Sequence, residues 1–224
     1  MESPEVIVFD VNETLSDMSA MTTRFTDVGA PAHLAALWFA VVLREGFART
    51  VVDDAQPFAT IGAEVLREML EPIDLDRDPE AAVDHILTGF LGLTVHPDVG
   101  EGVRSLRSAG FRLVTLSNGA ARVAESLLGS AGLRDRFEHL LSVEDAGAWK
   151  PDRRAYEYAA GVCGTDLARM LMVAVHPWDL DGAARAGMST AWLNRGGGRY
   201  PGYAAAPSVE VAALPELAQV LARS

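Results

Sequence analysis

A carboxylate, a lysine and a second carboxylate stand out along this chain because each sits where an apolar run breaks off or a tight turn begins. Asp10 follows Val6-Ile7-Val8-Phe9, Lys150 lies in Trp149-Lys150-Pro151-Asp152, and Asp179 lies in His176-Pro177-Trp178-Asp179. An aspartate can attack an electrophilic centre directly and form a covalent intermediate, which splits one difficult displacement into two easier steps. It must stay ionised and aimed, so a nearby cation is needed to lower its pKa and to stabilise charge. Asp10 is the candidate nucleophile and Lys150 the candidate cation. Thr14, four residues beyond Asp10, is placed to hydrogen-bond the carboxylate from the loop. Ser117 and Asn118 offer a hydroxyl and an amide suited to a substrate carboxylate or a leaving group. Backbone N–H groups of the turn Asp10-Val11-Asn12 could extend that cradle. His176 reads equally as a water-activating base and as a packed strand-end histidine. Trp178 reads as an apolar wall beside the leaving group or as a core tryptophan.

Residues so far apart meet only if the fold gathers them. Val6 to Phe9, Phe111 to Leu116, Leu171 to Val175 and Thr190 to Leu193 are short continuous apolar runs, the pattern of strands buried on both faces of a parallel sheet. Helical periodicity covers roughly 98–109, 120–130, 152–162, 179–187 and 214–222. Such alternation implies right-handed crossovers and an open α/β sheet, a Rossmann-like core. Polar residues at the carboxyl ends of its strands face one crevice, so Asp10, Ser117, Asn118, His176 and Asp179 are expected to converge. From 18 to 95 no convincing strand is found, and helices are expected near 31–48, 57–71 and 79–91. The expected organisation is therefore a core of residues 1–17 and 96–224 with a helical cap domain, 18–95, inserted after the first strand. Leu34 to Leu43 is apolar almost all round, which implies burial within the chain or, as the alternative, a homodimer contact.

The motifs together resemble those of the haloacid dehalogenase superfamily. Phe9-Asp10-Val11-Asn12-Glu13-Thr14-Leu15 is similar to its first motif and Leu116-Ser117-Asn118-Gly119 to its second. Trp149-Lys150-Pro151-Asp152 with Tyr156 is similar to the third, and His176-Pro177-Trp178-Asp179 with Gly182-Ala183 to the fourth. Taken singly each has an ordinary reading: a turn cap, a strand-to-loop signal, a solvated lysine. Four in order outweigh those readings. The nearest branch by motif is the type II L-2-haloacid dehalogenases. That resemblance implies hydrolysis of carbon–halogen bonds in small 2-halo acids, with inversion at the attacked carbon. It also implies that Asp179 orients Lys150 or activates the water, and that Tyr156 contacts the substrate.

Two differences separate the chain from phosphatases of the superfamily. Asn12 stands where they carry the aspartate that protonates the leaving group, and Val175 where they carry a magnesium ligand. Octahedral Mg²⁺ depends on carboxylates plus substrate phosphate, so neither a metal nor another cofactor is expected, although Asp181 could partly replace the lost ligand. Phe39, after Ala36-Leu37-Trp38, replaces the branch's cap arginine and makes an apolar substrate contact the expectation. Arg44 or Arg49 could substitute only if the helix is placed differently. Ala174 and His176 also replace the branch's usual Ser and Asn. Another electrophile, such as an epoxide acid or a phosphate ester, and a binding relative without turnover remain as alternatives.

Bulk properties narrow the partners to a small-molecule substrate. With 224 residues, 49% of them hydrophobic, the chain can bury one substantial core and a smaller appendage. A net charge of -12 argues against nucleic acid and anionic membrane surfaces. No signal-like start and no membrane-length apolar run occur, so a cytoplasmic location is expected. The single cysteine, Cys163, excludes an internal disulfide and reads as packing.

Overall fold

The computed structural model describes residues 4–223. Strand β1 (Val6–Phe9) is central because all four of its side chains are apolar and none reaches solvent. It pairs in parallel with β4 (Arg112–Ser117) on one side and β6 (Met170–Ala174) on the other. With β5 (His139–Ser142), β7 (Ser189–Leu193) and β8 (Val209–Val211) it forms a six-stranded sheet in the order β5-β4-β1-β6-β7-β8. Every pairing in that sheet is parallel. After β1 the chain builds one side and then crosses to the other, so the strand order reverses at β1 and a crevice opens beyond the strand ends. Helices α5 (Val99–Ser108), α6 (Ala121–Ser130), α7 (Val143–Ala146), α8 (Arg153–Cys163), α9 (Pro177–Ala186) and α10 (Leu214–Leu221) cover the two faces. The fold is α/β, as expected.

Between β1 and α5 the chain crosses a two-stranded antiparallel ribbon, β2 (Ser16–Asp17) with β3 (Thr94–Val95). Four helices lie between the ribbon strands: α1 (Met21–Thr26), α2 (Leu34–Val51), α3 (Phe58–Leu70) and α4 (Pro79–Leu91). Trp38 is their common centre. Its ring lies within 6.3 Å of Phe25, Phe58 and Phe90, and its indole N–H donates to the Gly62 carbonyl at 3.0 Å. Ala35, Trp38, Phe39 and Val42 are buried, whereas Leu37 is 48% exposed, so most of the all-round apolar stretch packs within the chain.

Several elements differ from the sequence expectations. Strands β5 and β8 were not anticipated: β5 is only four residues long, and β8 is an edge strand whose Glu210 is exposed. Within 18–95 the structure adds α1 and β3, both too short to leave a periodic signature. Strand β6 stops at Ala174, so Val175 already belongs to the turn. Helix α9 starts at Pro177, two residues before the expected start, because a proline in the first turn needs no N–H and has its φ already set. Among the described residues no helix is long and apolar enough to cross a membrane. Cys163 is buried as a free thiol.

Candidate active site

Asp10 leaves β1 into a tight loop in which the N–H groups of Leu15 and Ser16 both donate to the Val11 carbonyl, at 2.9 and 3.0 Å. Glu13 within it has φ 61, a left-handed conformation that is costly for a residue with a Cβ. Three groups from elsewhere hold that turn. The His96 ring contacts the Glu13 carbonyl at 3.0 Å, the His96 N–H donates to the Leu15 carbonyl at 2.9 Å, and Arg195 donates to the Thr14 carbonyl at 3.0 Å. Asp98 pairs with Arg195 at 2.7 Å and fixes it.

The Lys150 ammonium lies between two carboxylates, 2.9 Å from Asp10 Oδ1 and 2.6 Å from Asp179 Oδ2. Lys150 and Asp179 are fully buried, and Asp10 is 4% exposed. The Thr14 hydroxyl donates to Asp10 Oδ2 at 2.7 Å and accepts from the Val175 N–H at 3.1 Å. Tyr156 donates its hydroxyl proton to the Asp179 side chain at 2.8 Å and backbone carbonyl at 2.9 Å. Gly182 makes that approach possible, since a Cβ there would stand 2.7 Å from the Tyr156 hydroxyl and 2.5 Å from Pro151. Tyr156 thus touches Asp179 and not an open cavity, which corrects the expectation of a substrate contact.

Ser117 and Asn118 also make contacts within the protein. Ser117 Oγ accepts from the Gly119 N–H at 2.9 Å. Asn118 accepts the Lys150 backbone N–H at 3.0 Å and donates to the Lys150 carbonyl at 3.3 Å, so its amide clamps the lysine's own backbone. Val11 and Asn12 are both buried and line a narrow cleft with Phe90 and Val123.

On the crevice side His176 bridges Asp10 and Glu13. Its Nδ1 lies 3.0 Å from Asp10 Oδ2 and its Nε2 2.8 Å from Glu13 Oε2. Trp178 stacks on the imidazole at 5.0 Å and meets Phe47 at the same distance. Phe39 lies 6.2 Å from the imidazole and is buried. Phe39, Glu13 and Val175 border a cavity of about 440 Å³ whose far wall includes His96 and Arg195. Arg44 and Arg49 do not reach this region, because they point to solvent and pair with Glu45 and Asp54. Asp181 pairs with Arg185 at 2.8 Å and does not join the carboxylates at Lys150. No group of three or more His, Cys, Asp or Glu side chains is arranged for a metal among the described residues.

Glu13 is the member that sequence reasoning missed. Attention fell on Asn12, and nothing in the sequence ties Glu13 to a histidine 163 positions away. The one local signal was a charged residue inside a motif otherwise explained.

Electrostatics separate the two aspartates. Burial would push the Asp10 carboxyl up, but Lys150, then His176 and Thr14, hold it well below the usual carboxylate range. Asp179 is pushed up, first by burial and then by the Asp10 charge, against the pull of Lys150. Lys150 is raised because its two carboxylates outweigh the cost of burial. Burial works against the charged form of His176, yet its bonds to Asp10 and Glu13 raise it to about 9. At neutral pH Asp10 is therefore a carboxylate gripped by two cations.

A doubly wound sheet with a helical insert, and an aspartate after the first strand held by a lysine from a distant loop, fit a class of α/β hydrolases. The sequence profile of the haloacid dehalogenase-like hydrolases matches residues 4–187, and the chain belongs to that family. It is 31% identical to the (S)-2-haloacid dehalogenase of Pseudomonas sp. (strain YL), over 93% of this chain and 90% of that protein. It is also 31% identical to (S)-2-haloacid dehalogenase 4A of Burkholderia cepacia, over 100% of this chain and 97% of the other. A crystal structure of a dehalogenase with an intermediate complex superposes with a TM-score of 0.91 at 30% identity, covering 100% of both chains.

Proposed function

We propose that this chain is a hydrolytic dehalogenase of small 2-haloalkanoic acids that works through an ester on Asp10. The observation that carries the reading is the Asp10 carboxyl group itself: buried, and held by Lys150 at 2.9 Å and Thr14 at 2.7 Å, contacts that favour its ionised form. Similarity to (S)-2-haloacid dehalogenases along nearly the whole chain supports the substrate class. Asp10 forms a bond to the halogen-bearing carbon from the rear, and the halide departs with the electron pair of the broken bond. The carbon inverts. Water then attacks the ester carbonyl, the 2-hydroxy acid leaves, and Asp10 returns as a carboxylate.

His176 suits the second step better than Asp179. Both Asp179 oxygens are occupied, by Lys150 and Tyr156, and the residue is sealed from the crevice. In the resting enzyme His176 is a cation and helps keep Asp10 ionised. Formation of the ester removes the Asp10 charge that sustains that cation, so the imidazole gives up to crevice water the Nδ1 proton that faced Asp10, while Nε2 keeps its proton on half-exposed Glu13. Neutral His176 then takes a proton from the attacking water while Glu13 accepts from its other nitrogen. Asp179 and Tyr156 position Lys150, Asn118 fixes the lysine's backbone, and Phe39 with Trp178 forms an apolar wall. The helical insert acts as a cap over the strand ends.

Metal independence is part of the proposal. The Lys150 ammonium supplies the positive charge between the two carboxylates, and Val175 offers no anionic ligand. The test is a panel measuring halide, diol and phosphate release from 2-halo acids, epoxide acids and phosphomonoesters, with and without chelator. Halide release that survives chelation is expected. Phosphate release that requires added Mg²⁺, without halide release, would overturn the reading.

A further inference from the structure

Trp149 precedes Lys150 in the chain, yet its side chain is built into the helical insert. The indole N–H donates to the Gln56 carbonyl at 3.0 Å, and the Trp149 backbone N–H donates to Thr50 Oγ1 at 3.1 Å. The Thr50 hydroxyl in turn donates to the Gly46 carbonyl at 3.0 Å. The ring lies directly on the backbone of α2 at Gly46, where a Cβ would stand 2.3 to 2.6 Å from three ring carbons. A glycine inside a helix is destabilising relative to alanine, and close approach of this ring is what requires it. The other face belongs to an aromatic stack, with Phe58 at 5.9 Å and 12° and Phe90 beyond it at 5.1 Å and 11°.

On the opposite side of Lys150 the Asn118 amide grips the lysine's backbone N–H and carbonyl. Lys150 thus hangs between a clamp on the sheet and an anchor in the insert. Lys150 and Asp179 are closed to solvent and Asp10 is only 4% exposed, too little for a substrate carbon to reach it unless insert and core part. From this arrangement we infer that Trp149 is a positioning residue that couples docking of α2 and α3 to placement of the Lys150 ammonium beside Asp10. Parting the insert from the core draws Trp149 off Gly46 and Lys150 away from the nucleophile. The cation and nucleophile are fully assembled only in the closed state. The inference rests on the proposed roles of Asp10 and Lys150.

Two variants loosen the latch without touching the site: Gly46→Ala, which drives a methyl into the ring, and Thr50→Val, which removes the hydroxyl partner. Gly102→Ala is the control, because a Cβ there meets Leu214 at 2.3 Å, a comparable clash in the core between α5 and α10. The titratable groups facing Asp10 and Lys150 are Asp179, Tyr156, His176 and, through His176, Glu13, all outside residues 46–58. In the wild type, kcat/KM for 2-chloropropionate should stay flat down to the pH of acid unfolding. Both latch variants should show an acid limb inside the folded range, as Asp10 loses part of its cation, while Gly102→Ala should not. Hydrogen exchange reads the same coupling without any substrate: protection should fall together at 46–58 and at the Lys150 and Asp152 amides, which bond Asn118 and the Trp149 carbonyl rather than Thr50, in the latch variants. Loss of protection confined to 46–58, or an unmoved acid limb in an active variant, would overturn the inference. A wild type that releases no halide would refute the proposed function and leave hydrogen exchange to decide the latch.

Discussion

Asp10 is held from two sides, and the sides are built differently. On the inner side Lys150, Asp179 and Tyr156 are sealed from solvent, and their charged or hydroxyl atoms are all partnered. On the crevice side Glu13 and Phe39 border a cavity with His176 packed behind them, Glu13 is half-exposed, and Glu13 takes a strained left-handed turn to reach its partner. The inner side consists of residue types that the motif resemblance leads one to expect. The crevice side is where this chain departs from them, with histidine and phenylalanine in place of asparagine and arginine. A fixed cation favours the free Asp10 carboxylate, whereas a histidine's charge follows that of its neighbour. In the proposed mechanism the inner side sets whether Asp10 can attack, and the crevice side sets when the ester is cleaved and what can approach.

Breaking the inner side should have the largest effect. Lys150→Met leaves buried Asp179 with no cation and Asp10 with His176 alone, a loss of about 3–5 kcal/mol of stability for a broken buried pair. Asp10 should then titrate upward, and turnover should be lost even at temperatures where the variant stays folded. Denaturant unfolding together with halide release checks both parts. Near-normal rates in a folded variant would remove Lys150 from its role.

Breaking the crevice side should slow the second step and spare the first. His176→Asn is expected to lower turnover about 10²–10⁴-fold, the usual range for removing a general base. The ester on Asp10 should accumulate to a level visible in the intact-protein mass. The same variant tests the histidine's charge. His176 titrates at about 9 in the fold against an ordinary 6.5, so its stabilisation is whole below about pH 6.5 and disappears as pH rises through about 9. At about 1.4 kcal/mol per pH unit, the wild type should lose about 3 kcal/mol across that window and His176→Asn much less. Parallel stability curves for the two proteins would mean that His176 is neutral in the resting site.

The two sides were also unequally legible in the sequence. Asp10, Ser117 and His176 could be placed near one crevice because continuous apolar runs mark parallel strands, and the polar residues ending them share an edge. Lys150 was legible only through its motif, since its reach to Asp10 depends on a loop that Asn118 clamps. What Asn118 and Tyr156 bind was not legible: an amide that suits a substrate carboxylate suits a backbone equally well, and only tertiary contact decides. Glu13 was hidden because its partner is set by a left-handed turn held by His96 and Arg195. Strands β5 and β8 escaped notice because they lie at the sheet edges, where a short strand needs no long apolar run.

The smallest expected effect sharpens the crevice side further. Phe39→Arg should shift preference toward the smallest 2-halo acids, because a guanidinium can hydrogen-bond a carboxylate or halide where the ring now favours apolar substituents. The shift should be about 1–3 kcal/mol in relative kcat/KM per methylene of chain length. Comparison must be made between substrates within each variant, since an arginine beside the His176 cation also perturbs the insert. Unchanged ratios across chain lengths would place the residue 39 side chain outside the path of the substrate.

Whether Asp10 forms a covalent ester is tested most directly by a single turnover in heavy-oxygen water, with enzyme in excess over 2-chloropropionate. If water attacks the ester carbonyl, the solvent oxygen is retained in the Asp10 carboxylate and the 2-hydroxy acid carries an unlabelled oxygen from the enzyme. Peptide mapping should find the label in the peptide containing Asp10. Label in the product, with none in that peptide, would mean that water attacks the substrate carbon directly and would contradict the account.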